Sequence, residues 1–553
     1  MPSLFLPLLL FVGLSSASTQ ANSPKKQLRP DDASFPYAGT VEVPLDHFNP
    51  LDNRTFLNRY WMNDTYYKLG GPIFMYDNGE AGVQSGQPAQ SLSEEGIVFG
   101  AMELAKKYHG IGILWEHRYF GGSMPFEADN VTGVALAGYG AYQYLTNEQA
   151  LEDVVYFAKN FQPPGYNDSS LSSDSTPWVW IGGSYAGYRA AMIRVRNPDV
   201  FFASWSSSGP VETVVQNSVY FNEIWQHMPT NCTADVNAAI TYADTILSHG
   251  SQEEISLLKK AAFLTNSVNP RNPVYPSPSS LNEWDVASAL AYPFQASFFS
   301  FQSFGYEIAL STFCTQLSTY NPSNSNPFTI SSPLSVLSNN SDSLPPTSAG
   351  VAATYGSKAA FYAFIYATIQ KSEFDWSSFP ILNLFTPADA ASWKWMLCNQ
   401  ISQFQVSQFP SSTNLISRFY NISGTEAFFC HELLPYAPKL PNTGSMKRYG
   451  GWHMQPSNVM FTAGEVDPWR ALGVQSFGGI NPEAPDRITT STVPKCDEPP
   501  SGGEVFGVIY EGGTHASDLS RRVGNITGNL DVGLELFGSA LDVWLPCFRP
   551  KKK

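Results

Sequence analysis

Two rhythms of apolar and polar residues run along the 553-residue chain. Residues 39–50, "GTVEVPLDHFNP", and 54–64, "RTFLNRYWMND", alternate apolar with polar positions. A period of two marks strands with one buried face, and the polar break between the stretches predicts an antiparallel pair. The next runs are short and apolar throughout: "GPIFMYDNGEAG" (71–82), "GIGILWEHRYFG" (110–121), "WVWIGGS" (178–184) and "FFASWSSSGPV" (201–211). Between them "LTNEQALEDVVYFAKNF" (145–161) carries a helical period, with Thr146 as N-cap and carboxylates in its first turns, and another helix begins near Tyr185. Buried strands alternating with helices predict an α/β fold, a mostly parallel sheet covered by helices on both faces.

The rhythm breaks after Val211. From 211 to 440 the chain reads as aromatic-rich helices, with a Ser/Pro/Asn-rich loop, "YNPSNSNPFTISSPLSVLSNNSDSLPP", inside them. It resumes with "NVMFTAGEVDPW" (458–469) and "EVFGVIYEGGTHASDL" (504–519), and a helix over about 528–545 closes it. The expectation is one α/β domain in two parts, 36–210 and 441–547, around a helical insertion, 211–440. No internal repeat is present.

The leader changes the picture. "MPSLFLPLLLFVGLSSASTQ" is apolar over too short a run to span a bilayer, and Ser15 and Ala17 fit a small-x-small cleavage site. Residues 1–17 therefore read as a signal peptide, although no Lys or Arg precedes the apolar run. No later segment reads as a membrane span, so the protein is expected to be secreted and extracellular, with no membrane partner. Sequons at Asn53, Asn63, Asn130, Asn167, Asn231, Asn339, Asn421 and Asn525 agree with export.

The formal net charge of −15 argues against a nucleic-acid partner, because a phosphate backbone attracts basic surfaces. It also points to work at acidic pH, where repulsion among carboxylates falls. Six cysteines in an oxidising compartment allow three disulfides; pairing sequence neighbours gives Cys232–Cys314, Cys398–Cys430 and Cys496–Cys547. None has metal-ligand spacing, so neither metal nor cofactor is expected.

The chemistry centres on "TPWVWIGGSYAGYRAA" (176–191). A serine between an apolar strand and a helix, flanked by small residues, fits a nucleophile elbow, the strained turn that exposes a reactive hydroxyl. Here Gly182 and Gly183 precede Ser184; Ala186 stands at the second position after it, where a strict G-x-S-x-G pattern has glycine, and Gly187 follows. A serine hydroxyl needs a base, and the base needs an orienting acid. The late strands offer Asp467 in "AGEVDPW" and His515 in "EGGTHASD", in the chain order Ser, Asp, His. Glu465 is the weaker alternative acid, and the other histidines lie in duller contexts. An oxyanion hole is expected from the backbone N–H of Tyr185 and one near Gly79. Trp393, Trp395 and Trp469 are candidates for an aromatic slot or for plain packing, and Arg118 for a carboxylate clamp or, more simply, for pairing with Glu116 or another acid.

Taken together, "GGSYAG", "EHRYFG", "LTNEQALEDVVYF", "GEVDPW" and "GGTHASDL", in this order, resemble the Pro-X carboxypeptidase and dipeptidyl peptidase II family of serine peptidases, which includes secreted fungal-type extracellular serine carboxypeptidases. The resemblance covers about residues 40–545 and is weakest in the insertion. It implies an α/β-hydrolase fold with a large helical lid, a triad on Ser184, Asp467 and His515, and peptide substrates cleaved at proline near a chain end. It also implies that Glu80 faces the substrate cleft. The chain departs from the family at Asn78-Gly79-Glu80-Ala81, where members read G-N-E-G. It has Ala516 where mammalian carboxypeptidases have a second histidine, and Met396 and Gln400 where the lid commonly has Gln and Glu. The other readings are a prolyl endopeptidase of the same family, a lipase or carboxylesterase on the same fold (though the H-G-G-G oxyanion segment is missing), and a non-catalytic hydrolase-like binding protein.

Overall fold

The computed structural model describes residues 37–93, 100–166, 171–267, 278–295, 301–320, 350–372, 386–407, 415–433, 436, 441–519 and 528–551. The leader, the sequons at Asn167, Asn339 and Asn525, and residues 321–346 of the Ser/Pro/Asn-rich loop lie outside the described residues. Among the described residues nine strands form one sheet: β1 (Tyr37–Pro44), β2 (Thr55–Asn63), β3 (Ile73–Asp77), β4 (Ile111–Trp115), β5 (Trp178–Gly183), β6 (Ala203–Ser207), β7 (Val459–Gly464), β8 (Thr489–Thr490) and β9 (Val505–Tyr510). The helices used below are α1 (Ala101–Tyr108), α2 (Asn147–Asn160), α3 (Tyr185–Arg196), α4 (Thr230–His249), α5 (Ser357–Ser372), α6 (Pro387–Met396) and α7 (Asn529–Trp544).

The strand order is β1-β2-β4-β3-β5-β6-β7-β9-β8. The expected hairpin forms, antiparallel with Val43 opposite Phe56, and β2 pairs antiparallel with β4. All later pairings are parallel. This is the α/β-hydrolase arrangement. The short edge strand β8 has no counterpart in the sequence pattern, because two threonines carry no period.

Apolar strands buried on both faces explain the layers. Val179 and Ile181 of β5 point to the face that packs with Leu104 of α1 and Phe537, Leu541 and Trp544 of α7. Trp178 and Trp180 alternate to the other face, where Trp178 meets Phe157 and Phe161 edge-on, with centroids at 5.6 and 5.4 Å. Helix α2 starts where the sequence puts it, with the Thr146 hydroxyl accepting from the Gln149 N–H at 3.2 Å.

The chain divides into two compact units. One, Gln216–Leu382 with Gln403–His431, is helical. Within it, Val236, Ala239, Ile240 and Ala243 give α4 a buried stripe at helical spacing, and Tyr242 of α4 lies 5.5 Å from Phe361 of α5. Asp235 accepts the Val351 and Ala352 N–H groups at 2.9 and 2.7 Å, and Cys232 is bonded to Cys314. The other unit holds the sheet and includes Asn383–Ser402 and the chain from Glu432 onward. The expected insertion, 211–440, is therefore shared between the units. Residues of α6 are tied to the sheet unit: Asp389 accepts from the Gly121 N–H at 2.8 Å, Ser392 donates to the Tyr119 carbonyl at 2.7 Å and Trp395 to the Leu145 carbonyl at 3.0 Å.

Cysteine usage departs from expectation at one pair. Cys398 and Cys430 each stand in a disulfide, but Cys496 and Cys547 stand as thiols. Burial and then a hydrogen bond with Cys547 push the Cys496 thiol up to about 12. Among the described sequons Asn53, Asn130 and Asn421 are exposed and Asn231 is half-buried. Asn63 is only 7% exposed and donates to the Leu92 carbonyl at 2.8 Å, which makes it the least accessible.

Arg118 belongs to the framework. It donates to Asp153 at 2.5 and 2.6 Å and to the Leu45 and Tyr144 carbonyls, fully buried; Glu116 pairs instead with Arg59. Removing one partner of a buried pair strands the other charge. Arg118→Met should cost roughly 3 kcal/mol in urea unfolding. Its folded fraction should keep its capacity to process substrate; a stable but inactive Arg118→Met would contradict this placement.

Candidate active site

Ser184 follows the last residue of β5 and precedes the first of α3, with φ 56° and ψ −127°. A non-glycine residue at positive φ is uncommon and has to be held there by its surroundings. The backbone holds it: the Ser184 N–H donates to the Ser207 carbonyl at 2.9 Å and its own carbonyl accepts from Tyr188 at 3.0 Å. Glycine is required at two neighbours. A Cβ on Gly182 would stand 2.4 Å from the Ala186 carbonyl oxygen, and one on Gly187 2.4 Å from that of Ser207. The departure from G-x-S-x-G thus has a cause. The close approach to β6 falls on Gly187, one residue late, while the Ala186 methyl faces Gly79, whose added Cβ would sit at an ordinary 3.4 Å.

Asp467 and His515 come from the loops after β7 and β9, so both stand with Ser184 at the C-terminal edge of the parallel strands. That edge is where loops of open α/β sheets gather ligand-binding groups. The two loops interlock: the Glu465 N–H donates to the Tyr510 carbonyl at 2.9 Å and the Val466 N–H to that of Gly513 at 3.0 Å. His515 Nδ1 lies 2.9 and 3.0 Å from the two oxygens of Asp467, which is fully buried and also accepts from the Trp469 N–H at 2.9 Å. Nδ1 is therefore the protonated nitrogen, and Nε2 is left as the acceptor. Glu465 is exposed and accepts from the Gly512 N–H, away from His515. The serine and histidine loops touch, since a Cβ on Gly183 would stand 3.3 Å from that of Ala516.

The loop after β3 corrects one expectation. Gly79 lies there with φ 67°, but its N–H donates to Asp77 Oδ1 at 3.2 Å and is not free for an oxyanion. Asp77 is itself fixed, fully buried, by Arg189 of α3 at 2.7 Å. The neighbouring Glu80 N–H meets the Glu80 carboxyl. Tyr185, as the first residue of α3, has an N–H without an intrahelical acceptor. The Glu80 carboxyl is pushed up to about 7, by burial first and by Asp77, against its own N–H, His515 and Arg189.

Around this edge the Trp469 ring lies 6.3 Å from His515 and the Trp393 ring 5.6 Å from that of Tyr185; both tryptophans are half-buried. Trp395 is core, 2% exposed. Sequence reasoning missed His117, whose buried ring is held neutral, its pKa lowered first by desolvation. Its Nδ1 donates to the Arg118 carbonyl at 2.7 Å and its Nε2 faces the Tyr185 hydroxyl at 3.4 Å. It also missed the Asp77–Arg189 pair, signalled by an arginine inside the otherwise apolar helix "YRAAMI" and an aspartate ending an apolar strand.

The family model for serine carboxypeptidase S28 matches residues 43–272 and 314–481, a span that takes in Ser184 and Asp467 and stops short of His515. A "probable extracellular serine carboxypeptidase" of Arthroderma benhamiae is 34% identical over 238 residues, 42% of this chain and 31% of that protein, so the match spans about a third of that relative's length. The "serine protease vicPa" of Bipolaris victoriae is 28% identical over 473 residues, covering 82% of this chain and 80% of its own. The human "thymus-specific serine protease" is 33% identical over 239 residues, 42% of each chain.

The Glu80 carboxyl gives a sign-definite test. Its proton is held more tightly in the folded state, so its contribution to stability is full below the ordinary value of 4.5 and is lost as pH rises through about 7. Glu80→Gln should match wild type at pH 4 and exceed it at pH 8 by on the order of 1–3 kcal/mol; a variant less stable at pH 8 would show the carboxylate to be favourably placed.

Proposed function

The chain belongs to the serine carboxypeptidase S28 family, and on that premise we propose that it is a secreted serine exopeptidase that cleaves peptides at proline near a chain end. The observation that supports this best is the buried Asp467 engaging both its oxygens with His515 Nδ1, beside a serine held at positive φ. In this reading Ser184 Oγ attacks the scissile carbonyl while His515 Nε2 takes its proton. Asp467 fixes the ring and stabilises the imidazolium. The N–H groups of Tyr185 and Glu80, the latter replacing Gly79, donate to the oxyanion. His515 then protonates the leaving amine, and water hydrolyses the acyl-enzyme by the same proton transfers in reverse.

Substrate selection rests on Glu80, Trp393 and Trp469. A proline ring has no N–H to satisfy, and a flat apolar wall suits it. The Glu80 carboxyl is placed to accept a charged substrate group; drawing it from its own N–H would free that amide for the oxyanion. Secretion rests on the leader pattern, and among the described residues no helix is long and apolar enough to cross a membrane.

The test is product mass spectrometry on three peptides: an N-blocked peptide ending Pro-X, a free-amine X-Pro peptide and one blocked at both ends around an internal proline. The proposal expects loss of the last residue from the first or dipeptide release from the second, and no turnover by Ser184→Ala. Cleavage of the third would make it an endopeptidase. Hydrolysis of a p-nitrophenyl ester with all three peptides untouched would favour an esterase.

A further inference from the structure

A second acidic group lies beneath the proposed triad. Asp518, three residues after His515, is 2% exposed, and its polar contacts among the described residues are neutral. Ser207 donates to its Oδ1 at 2.5 Å, and Thr462 and Tyr510 donate to its Oδ2 at 2.5 and 3.2 Å; its own N–H is the fourth donor. The Thr462 hydroxyl also accepts from Trp205 Nε1 at 3.0 Å while its hydrogen goes to Asp518. A buried carboxyl is costly and persists only when its lone pairs are filled.

Those donors sit on the segments that carry the triad. Ser207 ends β6, and its carbonyl accepts the Ser184 N–H. Thr462 lies on β7, which leads to Asp467, and its carbonyl accepts the Ser208 N–H at 2.7 Å. Tyr510 ends β9, which leads to His515. Between histidine and Asp518 the chain is strained: Ala516 has φ 50° and donates its N–H to Ser208 Oγ at 2.9 Å, and Ser208 has φ 47°. Ser517 accepts from Asn529 at 3.0 Å. A turn of that conformation needs an anchor on its far side, and Asp518 is that anchor.

We propose that Asp518 is a positioning residue for the hydrolytic reaction: its carboxyl clamps the ends of β6, β7 and β9 and so sets His515 against Asp467 and Ser184. The inference rests on the reading of Ser184, Asp467 and His515 given above. An asparagine at 518 is isosteric but turns a donor toward the Thr462 and Tyr510 hydroxyls, which must give up donating there and turn to accept, so two of the four contacts are reversed and lose their charge assistance.

The experiment compares wild type, Asp518→Asn and Thr462→Val, each purified and checked for native near-UV circular dichroism. Two readouts are taken: kinetics, and the downfield proton resonance of His515 Nδ1–H, assigned by its loss in His515→Ala. We expect Asp518→Asn to lower kcat about tenfold to hundredfold with KM within threefold, Thr462→Val to lower it less, and the double variant to be no worse than Asp518→Asn alone. The Nδ1 resonance should move upfield or broaden in each. Native-like variants with wild-type kcat and an unmoved resonance would overturn the assignment. So would a fall in melting temperature alone. If wild type turns over none of the peptides or esters, the reading of the site fails, and the resonance still decides whether Asp518 positions His515. Should Asp518→Asn not fold, Thr462→Val carries the test on the same two readouts.

Discussion

The close approach of α3 to the end of β6 is the constraint on which the rest of the site depends. It is possible only because Gly187 has no side chain, with the Ser207 carbonyl where a Cβ would need to be. That contact sets the angle at which the chain leaves β5, and so the conformation of Ser184. The serines of β6 complete the seam, Ser204 and Ser206 donating to the Ala190 and Gly187 carbonyls at 2.7 Å each. Ser207 passes the constraint on, its carbonyl to the Ser184 N–H and its hydroxyl to Asp518. One strand-end thereby couples the serine turn to the histidine turn through backbone geometry.

Electrostatics around this seam divides into two kinds. The framework acids are paired with arginine: Asp77 with Arg189, Glu116 with Arg59, Asp153 with Arg118. They are neutralised and rigid, and they brace the loops from beneath. Among the described residues neither Glu80 nor Asp518 is hydrogen-bonded to an arginine, and burial pushes both upward. In the proposed reading both act near His515, Glu80 on substrate and Asp518 on the position of the ring. An overall charge of −15 adds to the case for acidic conditions, under which such carboxyls are neutral more of the time.

Much of this was legible in the chain because the α/β pattern is unambiguous where strands are buried on both faces. "WVWIGG" and "FMYD" can be little else, and the helix capped by Thr146 announces itself. The positions of Ser184, Asp467 and His515 were readable for the same reason, each following an apolar strand in a glycine-bearing loop. The helical stretch was harder. Nothing local in "PADAASWKWM" says that it joins the sheet unit, since that depends on Asp389 and Trp395 meeting backbone groups more than two hundred residues away. Gly79 misled because glycine content marks where backbone can approach, not which N–H is left free. Pairing by sequence order does not give Cys496 and Cys547, which stand as thiols. Asp518 went unread because a lone aspartate after a histidine has no pattern; only the fold brings three hydroxyls to it.

The central claim is that Ser184 is the nucleophile, activated by His515 and Asp467. Its most direct test is intact-mass and peptide-mapped labelling with a fluorophosphonate, run on wild type and on His515→Ala and Asp467→Asn. The account predicts one adduct per chain on Ser184 in wild type, with the labelling rate falling by at least about a hundredfold in each variant. An adduct on another serine, or labelling of Ser184 at an undiminished rate without His515, would contradict it.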